Sequence, residues 1–378
     1  MDAVREKATL KKSLNLKKTL NKIIKIGLAN LIVLILLFVV FEGAASLYFA
    51  YQGARQEIEK EPFLAERLHT EYDPLLGWIN KPNVSINHMY GPNVFLKTNS
   101  QRFRNKDNFT TKVPKGKIRA ICSGDSFTLG YGVDNDHTWC NLLETIDPRF
   151  QTVNMGQGGY GVGQAYLWYK RDGTRIDHDV HVFAFITPDF SRMTMKLLLG
   201  IPKPILRLRN GGISVENVPV TRLSFHRILK HLRLVNVVRL ASEIGVVSLP
   251  EAPGKSEVYV DELTKLVGAI FDSLKKINET KNSKLVLVSL PRESEYQNTG
   301  NDWLYEFIRR EAEKKGILYL DLIKEMRRVS PTEVTKLFFQ KDIKGFYGSK
   351  SHLTNAGNAF VANKISKALG GIEELAAQ

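Results

Sequence analysis

The sequence predicts an α/β protein: a three-layer α/β/α sandwich with a mainly parallel five-stranded sheet, preceded by one N-terminal transmembrane helix. Two observations carry the sandwich. From Lys115 onward, short β-branched runs of strand length alternate with longer runs whose apolar residues recur at helical spacing. A third observation carries the helix: Ile26 to Ala50 is interrupted only by Asn30 and Glu42. At roughly 1.5 Å per residue this run crosses a hydrocarbon layer of about 30 Å. The chain has 378 residues, 43% hydrophobic and 25% charged, which is the composition of a globular protein and excludes extensive disorder.

Residues 1–25 form a basic cytoplasmic tail, with eight Lys and Arg residues against Asp2 and Glu6. Lysines before the apolar run, and a mixed-sign segment from Gln56 to Glu66 after it, put the tail inside and the rest of the chain outside the cytoplasmic membrane. An export signal has the same order of parts, and Gly43-Ala44-Ala45-Ser46 could serve as its cleavage site. Its apolar part is usually about 7 to 15 residues, shorter than the run here. Residues 26–50 are therefore read as a retained single-pass anchor in the inner membrane, with the main domain periplasmic or otherwise extracytoplasmic.

Residues 51–115 are expected to be a stalk and a lead-in segment that packs on the domain, since their Pro and Gly favour extended chain and turns. Residues 116–372 make the sandwich, and 373–378 a tail. Strands are expected at Ile118–Cys122, Phe150–Asn154, His181–Ile186, Leu285–Leu290 and Ile317–Leu320. Helical faces are formed by Leu263, Leu266, Val267, Ile270 and Leu274, and by Leu304, Phe307, Ile308 and Ala312. A terminal helix is marked by Val361, Ile365, Ala368 and Leu369. Five strands with covering helices give a flavodoxin-like sandwich. An insertion at 191–257 breaks the rhythm, with a hairpin signal about Asn210-Gly211-Gly212 and a basic helical stretch from Ser224 to Ser242.

The formal net charge is +15. The excess beyond the tail suits anionic lipid head groups or an acidic polysaccharide, and no nucleic acid is expected on this side of a membrane. Cys122, in a strand, and Cys140, on a helix, are the only cysteines, and both are expected to be reduced core residues. The scattered histidines offer no metal-ligand spacing, and no cofactor is expected.

The chemistry gathers at Ile118 to Val133, where a buried strand breaks into Gly124-Asp125-Ser126. A serine at the carboxyl end of such a strand is exposed on a rigid support and is a candidate nucleophile. A turn in which Asp and Ser bond their own backbone would read the same way. Gly124-Asp125-Ser126-Phe127-Thr128-Leu129-Gly130 resembles the first signature block of the SGNH, or GDSL, hydrolases. Gly77-Trp78-Ile79-Asn80-Lys81-Pro82-Asn83, together with Asn99-Ser100-Gln101-Arg102-Phe103-Arg104, resembles the lead-in of membrane-anchored bacterial members. The resemblance implies an SGNH hydrolase fold and makes Ser126 the nucleophile. His352, in Ser349-Lys350-Ser351-His352, becomes the general base. The loop from Gly156 to Gly163 matches the second block, with Gly159 in the oxyanion position beside the Ser126 amide and Gly156 or Gly158 as alternatives. The same glycine run lacks the Lys-Ser/Thr of a phosphate-binding loop.

Two positions depart from the family pattern. Pro188 stands where the third block has an oxyanion-donating asparagine, and Ser349 and Lys350 stand where an acid precedes the histidine. A Ser-His dyad is expected, with Asp189 as a possible supporting donor or orienter. The resemblance implies a serine esterase or O-acyltransferase acting on acyl esters, chiefly acetyl, of an envelope polysaccharide or lipid, the transferase branch working beside a membrane acyl-exporting protein. The alternative is a catalytically degenerate domain that binds glycan or scaffolds an envelope assembly.

Overall fold

Buried β-branched runs have no solvent to satisfy their backbone, so they pair. The computed structural model describes residues 21–46, 48–49, 68–198, 201–220, 257–344, 346 and 348–372. Most of the basic tail, the stalk through residue 67, the Ser224–Ser242 stretch and the tail at 373–378 lie outside the described residues. The chain divides into two units. One holds the helix α1 (Asn21–Ser46), which has a mean hydropathy of 2.8 and is long and apolar enough to cross a membrane. The other holds the folded domain.

The domain opens with four short strands: β1 (Thr70–Asp73) paired antiparallel with β2 (Gly77–Asn80), and β3 (Ser85–Ile86) with β4 (Leu96–Lys97). Then β5 (Ile118–Gly124) leads into the short helix α2 (Ser126–Leu129), and α3 (Trp139–Ile146) precedes β6 (Phe150–Gly156). Next come α4 (Val162–Arg171), β7 (Val180–Phe185) and α5 (Thr187–Arg192). The insertion supplies β8 (Leu197–Leu198), β9 (Ile201–Pro202), β10 (Ile205–Arg209) and β11 (Gly212–Glu216). After it follow α6 (Glu257–Thr280), β12 (Lys284–Ser289), α7 (Asp302–Lys315), β13 (Leu318–Asp321), α8 (Leu322–Met326), α9 (Pro331–Leu337) and α10 (Asn355–Leu369).

Five of these strands form one parallel sheet in the order β13-β12-β7-β5-β6. Numbered along the chain this is 2-1-3-4-5 read from β6, the flavodoxin-like order. Right-handed crossovers place α3 on one face and α4, α6 and α7 on the other. The packing agrees: α3 lies against α10, while α6 touches both α4 and α7. The expected helical stripes are the buried ones, Leu263, Leu266, Val267, Ile270 and Leu274 on α6 and Leu304, Ile308 and Ala312 on α7.

β5 and β6 run two residues past their expected ends, through Gly124 and Gly156. Glycine tolerates the extended conformation, and its missing side chain lets α2 lie on the strand ends. A Cβ on Gly156 would overlap the Leu129 backbone nitrogen. The cysteine expectation is corrected: Cys122 on β5 and Cys140 on α3 form a disulfide, with their Cα atoms 6.1 Å apart. Both were expected in the core; they face each other across one layer, at a spacing that permits a bond. The hairpin is as expected, with Arg209 opposite Gly212 and both turn residues, Asn210 and Gly211, at positive φ.

The lead-in packs on the domain. Trp78 Nε1 donates to Gly158 O at 2.8 Å, Tyr160 Oη to Trp78 O at 2.6 Å, and Gln164 Nε2 to Leu76 O at 2.7 Å. Arg104, fully buried, donates to the carbonyls of Leu129, Gly130 and Val133 and to Asn135 Oδ1. It thereby satisfies the free C-terminal carbonyls of α2.

Candidate active site

In an open parallel sheet the ligand crevice lies beyond the carboxyl ends of the strands, where connections leave in opposite directions. Here that point is between β5 and β7, and Ser126 follows β5 directly. Asp125 caps α2, its Oδ1 accepting from Phe127 N at 2.9 Å, and Gly130 ends it at φ 90°. Asn154 fastens the turn to β6, donating to Thr128 O and accepting from Gly156 N, both at 2.9 Å. Ser126 is thus held by local capping and by the neighbouring strand.

His352 is delivered from the far end of the chain. Its loop is pinned by a bridge between Phe338 and Leu353, by Ser351 N to Phe339 O at 2.8 Å and by Phe339 N to His352 O at 2.9 Å. Thr354 caps α10, and Asn358 ties the loop to α3 by accepting from Trp139 N at 2.9 Å and donating to Leu353 O. The outcome is His352 Nε2 at 2.9 Å from Ser126 Oγ, across 226 residues of sequence. The imidazole packs against Phe127 and Tyr131, with ring centroids 4.5 and 5.0 Å away.

Burial, which strips water from the charged imidazolium, pushes the His352 pKa down to about 4; the Lys350 and Ser349 carbonyls oppose the shift, and the charges of Arg192 and Arg292 add to it. Nδ1 lacks a well-formed hydrogen bond to either carbonyl. No acid approaches it among the described residues, as the Ser349 and Lys350 departures imply.

Asp189 does not touch His352 or Ser126. Its Oδ2 accepts from Ile186 N at 3.0 Å and its Oδ1 from Arg192 Nη1 at 2.7 Å. Arg192 Nη1 also donates to Tyr160 O at 3.0 Å and lies 3.8 Å from Asp125 Oδ2. Burial raises the pKa of both carboxyls; the Asp125 charge pushes Asp189 further up, while Arg192 draws both back. No sequence signal singles out Arg192 beyond its place four residues after Pro188.

Of the oxyanion candidates, Gly156 is unsuitable because its N–H is bonded to Asn154 Oδ1. Gly159 stands at φ 72°, between Trp78 and Leu198. The N–H groups of Ser126, Gly158 and Gly159 have no acceptor among the described residues.

A second serine-histidine contact exists, Ser123 Oγ to His181 Nε2 at 2.7 Å. Both residues are sealed inside the sheet. His181 Nδ1 meets Asn278 at 3.2 Å and its ring stacks on Tyr169 at 3.5 Å. A pair with no route to substrate is a satisfied core contact, whereas Ser126 and His352 stand at the crevice. A cavity of about 500 Å³ beside the His352 loop is lined by Tyr90, Val133, Phe339 and Asn355, but Ser126 is not in its wall.

An α/β sandwich of flavodoxin-like order with a Ser-His pair at its switch point is the class that fold and site define. No protein-family model matches this sequence, and no curated protein matches it. Among solved structures the chain is similar to a member of the lipolytic protein G-D-S-L family from Veillonella parvula. That likeness has 12% identity and a TM-score of 0.39, and covers 68% of this chain and 100% of the other. It is also similar to the acetyl xylan esterase AlAXEase, at 18% identity and a TM-score of 0.38 over 67% of this chain and 100% of that one. The lipase/acylhydrolase from Enterococcus faecalis matches at 12% identity and a TM-score of 0.35, over 67% and 96%. Likenesses this distant concern the backbone path alone.

Proposed function

We propose that the chain is a membrane-anchored, extracytoplasmic serine esterase or O-acyltransferase of the SGNH type, acting on acyl esters, chiefly acetyl, of a cell-envelope glycan or lipid. The observation that carries this reading is the 2.9 Å contact between Ser126 Oγ and His352 Nε2 at the mouth of the sheet. His352 Nε2 takes the hydroxyl proton as Ser126 Oγ attacks the ester carbonyl. The Ser126 and Gly159 N–H groups receive the developing oxyanion. The tetrahedral adduct collapses to an acyl-serine, and the proton passes from His352 to the departing alkoxide. Water or an acceptor hydroxyl then attacks the acyl-serine, again with His352 as base, giving hydrolysis or transfer. In the transfer branch a membrane acyl-exporting protein would supply the acyl group.

The apolar helix α1 supports anchoring. The Cys122–Cys140 disulfide suits an oxidising compartment, in agreement with a domain outside the inner membrane and a cytoplasmic N-terminus. One observation favours a second reading, a degenerate SGNH-like domain that binds glycan or scaffolds an assembly: among the described residues, His352 Nδ1 has no carboxylate to orient it. Turnover of p-nitrophenyl acetate by the detergent-solubilised chain discriminates. The proposal requires turnover that Ser126→Ala and His352→Ala each abolish; equal background rates in all three proteins leave the binding reading.

A further inference from the structure

Stabilising an oxyanion requires N–H donors that are free before substrate arrives. Around Ser126, Pro188 offers none, since it has neither an N–H nor a donor side chain. Four residues later on the same helix, Arg192 shares its face, and helical side chains lean toward the N-terminus. Its guanidinium therefore comes back over the turn that Pro188 opens. There Nη1 joins the glycine loop, through Tyr160 O at 3.0 Å, to the α5 start, through Asp189 Oδ1 at 2.7 Å. It also lies 3.8 Å from Asp125 Oδ2, itself 3.5 Å from Ser126 Oγ.

The remaining donors of this side chain contrast with those of three other partly or fully buried arginines. Arg104, Arg119 and Arg171 each use Nε, Nη1 and Nη2 on protein acceptors. Arg192 Nε and Nη2 have no acceptor among the described residues, although only 20% of the side chain is exposed. A half-buried arginine whose Nε–H and Nη2–H are not used by the protein keeps those donors open to a ligand near the nucleophile. Its charge reaches His352, whose protonation it disfavours.

Resting on the esterase or acyltransferase reading, we infer that Arg192 is a catalytic residue that donates Nε–H or Nη2–H to the oxyanion formed at the substrate carbonyl, while Asp189 and the Tyr160 carbonyl fix the guanidinium through Nη1. The negative charge develops on the carbonyl oxygen as the Ser126 Oγ–carbon bond forms and is lost again when the alkoxide leaves. Arg192 remains protonated throughout.

The test uses the detergent-solubilised full chain with p-nitrophenyl acetate, comparing wild type, Arg192→Gln and Arg192→Lys. It reads kcat, KM, the inhibition constant of a phenylboronic acid that mimics the tetrahedral adduct on Ser126, and the melting temperature. Arg192→Gln should lower kcat by about 10²-fold, with KM within about threefold of wild type and boronate affinity falling alongside kcat. Arg192→Lys keeps the charge beside Asp189 but lacks the fork, so it should melt like wild type and still lose about tenfold in kcat. If Arg192→Gln does not fold, Arg192→Lys decides. Wild-type kcat in either folded variant, or a loss confined to KM, overturns the inference alone. Absence of wild-type turnover and of Ser126 labelling by a fluorophosphonate overturns the esterase reading and the inference with it.

Discussion

Acidification should leave turnover almost untouched well below the pH at which an ordinary histidine base fails. Burial against Phe127 and Tyr131, with the positive charges of Arg192 and Arg292 adding to it, pushes the His352 pKa down to about 4. The general base is the neutral imidazole, so a lowered pKa keeps the base competent above about 4 and removes it only below. At pH 5.5 an unperturbed imidazole of pKa about 6.5 would be neutral in roughly a tenth of the molecules. A group at about 4 would be neutral in nearly all of them, about a tenfold difference in rate. The assay is kcat/KM for p-nitrophenyl acetate between pH 4 and 8, read in aliquots quenched to a common alkaline pH. An acid limb centred between pH 6 and 7 would refute the reasoning. Arg292→Gln removes one of the opposing charges and should move the limb upward. Stability follows the same sign: the folded state takes up a proton less readily than the unfolded chain, so stability declines as pH falls from about 6.5 toward about 4.

Gly156→Ala would drive a methyl group into the Leu129 backbone; it should cost upward of about 2 kcal/mol in urea unfolding and depress turnover by displacing α2, and wild-type stability would contradict this. Asn358→Ala strips partners from Trp139 N and Leu353 O, at about 1 to 3 kcal/mol for each buried group left unpaired. Its turnover should fall through the His352 loop, measured as kcat at constant folded fraction. Cys140→Ala opens a link of 18 residues and should lower stability by about 3 kcal/mol; identical melting of oxidised and reduced wild type would deny the link a stabilising role.

Strand runs such as Ile118 to Cys122 and Leu285 to Leu290 declared themselves because β-branched, continuously apolar segments have few other places to go, and a parallel sheet buries both their faces. Their parallel pairing followed from the alternation with helices. Ser126 and His352 were legible as separate blocks, but their contact depends on Phe338, Leu353 and Asn358, whose pairings are non-local. The disulfide escaped because a separation of 18 residues says nothing of which faces of β5 and α3 meet. Arg104 and Arg192 escaped for a related reason: arginine is ordinarily a surface residue, and only the folded backbone shows which carbonyls and carboxylates surround each one. Asp189, singled out as a possible orienter of the base, lies instead beneath Arg192.

The central claim is that Ser126 is a nucleophile activated by His352. The most direct measurement is covalent labelling of the full chain by a fluorophosphonate, with the modified peptide located by mass spectrometry. The account predicts a single adduct on Ser126, absent in Ser126→Ala and slowed at least about 10²-fold in His352→Ala. No adduct on Ser126, or labelling at an undiminished rate without His352, would contradict it.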